Sequence, residues 1–386
     1  CLSAAGAAEV ADAARYELAW AYALAGRPDA AAEEFGRLAK DHADSPYAAE
    51  ANLRVGEWHY RRAELAAAET RFAAAAEAGK RPRAQAAATR EQALHMLGWT
   101  RFDQGRHGPA ADAFAEQLAS RVRGPLAADA RLMLAECRFA AGDFAAAVSL
   151  YESAFGDAGA PRADLRPLGL LHAGQAAGQV GDWPRALAWL DQAMGQVRAA
   201  SVPGAGGGTG QEPADKPDAD ADADADTDTN IDTAQPGDDA TAGTAGPLPR
   251  PSAAYANQIE YERAWALHKL GRDDEATPIL QRLAESDASV LAARARFVLG
   301  ELQFAQGDLQ QAVRTFFKVA YGYGGEDAAP AYHVWQSQAL FEAARCLEQL
   351  GRGGPARKLY GEVVQRFPNS EKAAHARRRL QNPAPP

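Results

Sequence analysis

The chain has 386 residues, 47% of them hydrophobic, with a formal net charge of −10. That length could hold two or three ordinary domains, and no run of about 18 apolar residues is present to span a membrane. The charge is local: from Glu212 to Asp239 eleven acids face Lys216 alone, so the remainder is near neutral and carries no basic nucleic-acid footprint.

The first helical run, from about Ala11, holds Tyr16, Leu18, Trp20 and Tyr22 and stops at Gly26, a residue that accepts positive φ at a helix end. A second helix follows, with Ala31 and Phe35 one turn apart on one face, and closes near His42. Asp44-Ser45-Pro46 opens the next run as a cap followed by proline. There the turn is Arg61-Arg62-Ala63-Glu64, without glycine, and a somewhat different helix crossing is expected.

A third pair, from about Gln85 to Val122, holds His95, Trp99 and Phe102. Gly124-Pro125 separates it from a fourth, about Leu126 to Phe155. The fifth, about Ala163 to Val197, is weaker, because Gly169, Gly174 and Gly178 loosen its first helix. After a compositional break the pairs resume near Ala253, where Tyr261-Glu262-Arg263-Ala264-Trp265-Ala266 repeats the opening Tyr16-Glu17-Leu18-Ala19-Trp20-Ala21. The seventh, around Leu299 to Phe316, shows the frame most clearly, with Asp308 placed to cap its second helix. The eighth runs from about Tyr332 to Phe367, and Glu371 to Leu380 makes a last, polar helix.

One register unites these pairs. The turn position is Gly26, Ala63, Gly105, Gly142, Gly181, Gly271, Gly307 and Gly351. Five residues later come Ala31, Ala68, Ala110, Ala147, Ala186, Ala276, Ala312 and Ala356. Nine residues later come Phe35, Phe72, Phe114, Tyr151, Leu190, Leu280, Phe316 and Tyr360. Preceding each turn is a small residue: Ala19, Gly56, Gly98, Ala135, Gly174, Ala264, Gly300 or Ala344. This register resembles the tetratricopeptide repeat, a helix pair of about 34 residues with small residues at its eighth and twentieth places. The resemblance implies an all-α fold, a right-handed α-solenoid of helix-turn-helix units. The spacing between turns is longer than ideal and resembles that of bacterial envelope proteins.

The expected organisation is a repeat array over 1–198 with about five repeats, a linker over 199–252, and a second array over 253–386 with about three repeats and a capping helix. The linker is rich in Asp, Gly and Pro and poor in large apolar residues, so its burial cannot offset ordering entropy and disorder is expected. Its alternating Asp from Asp218 to Asp228 lacks the glycine and bidentate glutamate of a calcium loop. Cys137 and Cys346 hold equivalent places in separated repeats, too far apart to pair, and read as packed helix residues. Cys1 has two readings, the lipid-bearing first residue of a mature lipoprotein or a fragment boundary. The short stretch from Leu2 to Ala8 favours the second.

No phosphate loop, nucleophile elbow or His-Glu-x-x-His pattern occurs, so no catalytic residue, metal site or cofactor is expected. What remains is recognition. Carried over place by place, the repeat family's concave face corresponds to Tyr16, Trp20, Glu57, Tyr60, Trp99, Phe102 and Glu136 before the linker, and Tyr261, Trp265, Glu301 and Arg345 after it. This row of rings with scattered charges suits a groove for an extended or helical polypeptide, and Trp20, Trp99 and Trp265 are the leading candidates for exposure in it. The competing expectation for any one ring is packing between adjacent helices.

The C-terminal stretch from Phe341 to Ala373, with Phe367-Pro368-Asn369-Ser370, is similar to the terminal repeats of the Tol–Pal cell-division coordinator family and of outer-membrane assembly lipoproteins. Asp41-His42-Ala43-Asp44-Ser45-Pro46-Tyr47 is a weaker copy. The resemblance implies a bacterial periplasmic or outer-membrane-associated scaffold binding envelope proteins, neither an enzyme nor a nucleic-acid binder. The coordinator family's trimerising coiled coil is absent from this sequence. Two alternatives stay open: a cytoplasmic adaptor, or a regulatory segment of a larger enzyme truncated before Cys1.

Overall fold

The computed structural model describes residues 4–80, 86–119, 125–156, 161–200, 253–286 and 289–381. Cys1 and all of the expected linker beyond residue 200 lie outside the described residues. Seventeen α-helices and one 3₁₀ turn make up the described chain. They pair as α1 (Ala4–Leu24) with α2 (Pro28–Asp41), α3 (Ala48–Arg61) with α4 (Leu65–Ala78), α5 (Ala86–Asp103) with α6 (His107–Ala119), and α7 (Ala127–Ala140) with α8 (Phe144–Gly156). The series continues with α9 (Arg166–Gln179) and α10 (Trp183–Ala200), α11 (Ala253–Lys269) and α12 (Asp273–Ser286), α13 (Val290–Ala305) and α14 (Leu309–Gly322), and α15 (Pro330–Gln349) and α16 (Gly353–Arg366). A single helix, α17 (Glu371–Gln381), ends the described chain.

Every expected turn residue has the left-handed backbone, from Gly26 at φ 69° to Gly181 and Gly307 at 82°, and Ala63 joins them at 58°. At each turn the next residue's N–H reaches back five residues to a helix carbonyl, as Arg27 does to Tyr22 (2.9 Å) and Asp308 to Gln303 (2.9 Å). That bond closes the helix end and saves an otherwise orphaned carbonyl. Ala63 makes the same turn, with Glu64 N–H on the His59 carbonyl at 3.0 Å, so the missing glycine is met by backbone strain rather than by a different hydrogen-bond pattern. Asp308 caps α14 through the Gln311 N–H (3.2 Å), and Asp143 and Asp182 do the same for α8 and α10.

The residues of the register form the core. All eight alanines five residues past the turns, and all eight bulky residues nine past them, are buried. Where the small residue of the first helix is glycine, the bulky partner lies directly on its backbone. A Cβ on Gly300 would stand 2.5 Å from Phe316, and one on Gly56, Gly98 or Gly174 would stand 2.6 Å from Phe72, Phe114 or Leu190. Small-against-large packing thus sets how closely the two helices of a repeat approach.

Contacts group the described residues into two compact units, one running up to Leu134 and the other from Ala135 to Val197 together with the described residues from 253 onward. The second unit holds repeats from both sides of the acidic stretch. In it Gln175 of α9 donates to Glu262 of α11 (3.1 Å), and Arg263 of α11 is bonded to Asp191 of α10. The fifth and sixth repeats are therefore neighbours in space as well as in register. Phe367, buried, and Ser370, whose hydroxyl accepts from Ala373 N–H at 3.1 Å, join α16 to α17. The Phe-Pro-Asn-Ser motif is a structural joint.

Candidate functional site: the faces of the first helices

In the first unit, Trp20 of α1 is half-buried on the wall of a cleft of about 580 Å³, shared with Arg54, Glu57, Trp58 and Arg61 of α3. Glu57 accepts from Arg54 (3.1 Å), and the Arg54 guanidinium lies 5.1 Å above the Trp20 ring. Trp58 donates its indole N–H to Asp29 (2.9 Å). Tyr16 is more enclosed: its ring stacks on Tyr47 with centroids 4.4 Å apart, and its hydroxyl donates to Glu50 at 2.8 Å. Burial, and after it that hydrogen bond, holds the Tyr16 phenol well above its ordinary range.

Two further candidates of this unit sit half-buried on their helices. Tyr60 is hydrogen-bonded to Asp103, and Phe102 packs edge-on against Trp99 and His107. Trp99 corrects the expectation of exposure: only 1% of it reaches solvent. Its indole N–H is given to His95 (3.1 Å), one turn before it, and Phe102 covers it from the following turn.

In the second unit Trp265 of α11 is half-buried and borders a cleft of about 330 Å³ with Phe139, Gly178, Gln258, Glu262 and Arg294. Glu262 accepts from Gln258 (2.7 Å) as well as from Gln175, and the Lys269 ammonium lies 4.3 Å over the Trp265 ring. Gly174 and Gly178 do not break α9. Gly174 lies under Leu190 and Gly178 under Trp183 of α10, and all four residues line the cleft.

Glu136 and Tyr261 are the other corrections. Glu136, 8% exposed, accepts from the Tyr151 hydroxyl and from His172, both at 2.7 Å, and Phe139 stacks on the His172 ring with centroids 4.6 Å apart. Its acceptor capacity is used internally. Tyr261 is 2% exposed beneath the Arg294 guanidinium, 4.2 Å above it. Glu301 and Arg345 stand half-buried on α13 and α15, and Arg345 donates to Glu342 at 2.6 Å. Burial first, and then the Glu342 carboxylate, hold Glu301 above the usual carboxylate range.

One arrangement was not visible from single-residue reading. A cation from one first helix lies over a ring of the preceding one: Arg54 over Trp20, Arg294 over Tyr261, Arg345 over Phe304 (5.1 Å) and Lys372 over Phe341 (5.1 Å). Each such pair is worth roughly 0.5–2 kcal/mol, depending on desolvation. The faces are therefore alternately aromatic and cationic. Among the described residues no group of three or more His, Cys, Asp or Glu is placed to hold a metal ion. No described helix is long and apolar enough to cross a membrane.

Family models described as tetratricopeptide repeat match residues 13–45, 95–161, 167–192, 261–333 and 338–370, together more than half of the chain. The chain is a tetratricopeptide repeat protein. No curated protein matches it. Solved structures similar to this tetratricopeptide repeat protein include YrrB, described as having an unusual peptide-binding site (15% identity, 49% of this chain and 91% of that one, TM-score 0.38). A tetratricopeptide repeat protein from Parabacteroides merdae shares 8% identity over 96% of this chain and 99% of its own, at a TM-score of 0.39. PilF from Pseudomonas aeruginosa shares 11% identity over 86% and 96%, at a TM-score of 0.37.

Proposed function

We propose that this protein is a non-enzymatic scaffold that binds polypeptide partners along the faces of its first helices, and that it works in the bacterial cell envelope, in the periplasm or at the outer membrane. The observation that carries the binding reading is the pair of open clefts, each walled by a half-buried tryptophan: Trp20 in one unit and Trp265 in the other. Both clefts combine an aromatic wall with polar groups already oriented by internal hydrogen bonds, so a partner would bury apolar area without ordering the site first. Of the sequence-based candidates, Trp20, Glu57 and Trp265 border these clefts, while Trp99, Tyr261 and Glu136 are buried.

The envelope assignment is supported by the similarity of the Phe341–Ala373 stretch to Tol–Pal coordinator and assembly-lipoprotein repeats. The test is affinity capture from a bacterial envelope extract with the full chain as bait. Retention of envelope proteins, lost on Trp20→Ala with Trp265→Ala at unchanged helical circular dichroism, is the expected result. Retention of cytoplasmic proteins alone would remove the envelope assignment. Retention indifferent to both substitutions would remove the clefts as the binding site.

A further inference from the structure

The last repeat and the helix after it enclose a third concavity, of about 460 Å³, between α15 and α17. Its floor carries Phe341. Its walls carry Arg345 from α15 and Lys372, His375, Arg378 and Arg379 from α17, against a single lining carboxylate, Glu342. Four cations therefore line one recess, with Arg378 and Arg379 still open to solvent. Part of that charge is compensated: Glu342 accepts from Arg345 (2.6 Å) and Lys372 (3.4 Å), and Arg379 stands 3.7 Å from Glu348. Those two carboxylates are shared among three cations, and Arg378 has no hydrogen-bond or ion-pair partner among the described residues.

The cations are also held in place. Arg345 lies over Phe304 and Lys372 over Phe341, so both present their charge from fixed positions above apolar rings, with less rotamer freedom to lose on binding. A recess whose walls carry several cations against one carboxylate complements a run of carboxylate side chains.

Resting on the reading of this chain as a polypeptide binder, we infer that the α15–α17 recess takes an acidic segment of the partner polypeptide, its Asp or Glu side chains reaching Arg345, Lys372 and Arg378. A nucleic-acid strand is the poorer fit. It would set a continuous phosphate backbone against the Glu342 carboxylate.

The experiment is fluorescence anisotropy on the full chain with a labelled peptide of alternating glutamate and phenylalanine. The comparisons are the same peptide with glutamine for glutamate, and a single-stranded oligonucleotide of equal charge. The glutamate peptide is expected to bind about tenfold more tightly than the glutamine one, with an advantage that shrinks as salt is added. Lys372→Gln with Arg378→Gln should abolish that advantage. Arg357→Gln with Lys358→Gln, which removes the same charge from exposed positions of α16, should leave it intact. Equal loss in both double variants, or tighter binding of the oligonucleotide, would overturn the inference. Equal binding of the two peptides, with both weakened by Trp265→Ala, would overturn it while leaving the cleft reading in place. No binding of the glutamate peptide overturns it as well, and the cleft reading is then decided by the capture experiment.

Discussion

Gly300 and Gly307 lie seven residues apart and are required for opposite reasons, which alanine substitution can separate. Gly300 sits in α13 with ordinary helical backbone, and its new Cβ would stand 2.5 Å from Cε1 and 2.8 Å from Cδ1 of the buried Phe316 ring. Overpacking of this kind costs about 1–3 kcal/mol, offset by about 1 kcal/mol of helix propensity gained by alanine, so a net loss near 1 kcal/mol is expected. Gly307 has φ 82° and nothing within 4 Å of an added Cβ, so Gly307→Ala meets only the left-handed backbone penalty, about 1–2 kcal/mol. The single losses are similar in size. What distinguishes them is coupling to Phe316.

In a Phe316→Leu background, which reproduces the Ala264 and Leu280 pairing of the sixth repeat, Gly300→Ala should become neutral or stabilising. The coupling energy should be about 1 kcal/mol or more, whereas Gly307→Ala should couple by less than about 0.5 kcal/mol. Because repeats open locally, the assay is hydrogen exchange with mass spectrometry on peptides from α13 and α14. Equal coupling at both glycines would refute the assignment of one to packing and the other to backbone conformation.

Other expectations follow from the same geometry. Ala63→Gly should stabilise α3 and α4 by about 1 kcal/mol, read as slower local exchange, because φ 58° strains alanine and not glycine. Glu301 has a folded-state pKa raised above the ordinary 4.5, so it binds its proton more tightly when folded; its stability contribution is present below pH 4.5 and is lost as pH rises through the raised value. Glu301→Gln should therefore raise the melting temperature at neutral pH, with the difference vanishing as the pH falls below that of an ordinary carboxylate. Burial pushes the Cys137 thiol up to about 12 and the Cys346 thiol to about 11, so in a Cys1→Ser background a thiol reagent should label the protein only on unfolding. Trp99→Ala should destabilise α5 and α6 by about 3–5 kcal/mol, measured by exchange, as expected for emptying a fully buried ring site.

The fold was legible because its determinants are local and repeated. A positive-φ turn, an alanine five residues on and a bulky residue nine on are short-range requirements, and the strained Ala63 kept the register despite its chemistry. The clefts were legible only in part, because exposure at a given place in the repeat depends on what surrounds it. Trp20, Trp99 and Trp265 hold the same place, yet Trp99 is buried beside His95 and Phe102, while Trp265 borders an open cleft. Glu136 looked like a groove carboxylate until Tyr151 and His172, 15 and 36 residues away in sequence, were found to consume it. Trp58 and the cations lying over preceding rings were missed because they belong to pairs of repeats, although an arginine recurring near the first-helix rings was a usable signal. The basic recess was hidden for the same reason: α17 alone reads as a polar cap, and only its packing on α15 brings its cations beside Arg345.

The most direct test of polypeptide binding through these faces is site-specific photo-crosslinking with a photoreactive phenylalanine analogue. It would replace Trp20 and Trp265 in turn, with exposed Arg282 of α12 and Arg357 of α16 as controls, in the full chain exposed to the envelope extract. Discrete polypeptide adducts at 20 and 265, absent at 282 and 357 and competed away by unlabelled full chain, are the predicted result. Adducts at the control positions alone, or equally at all four, would contradict it.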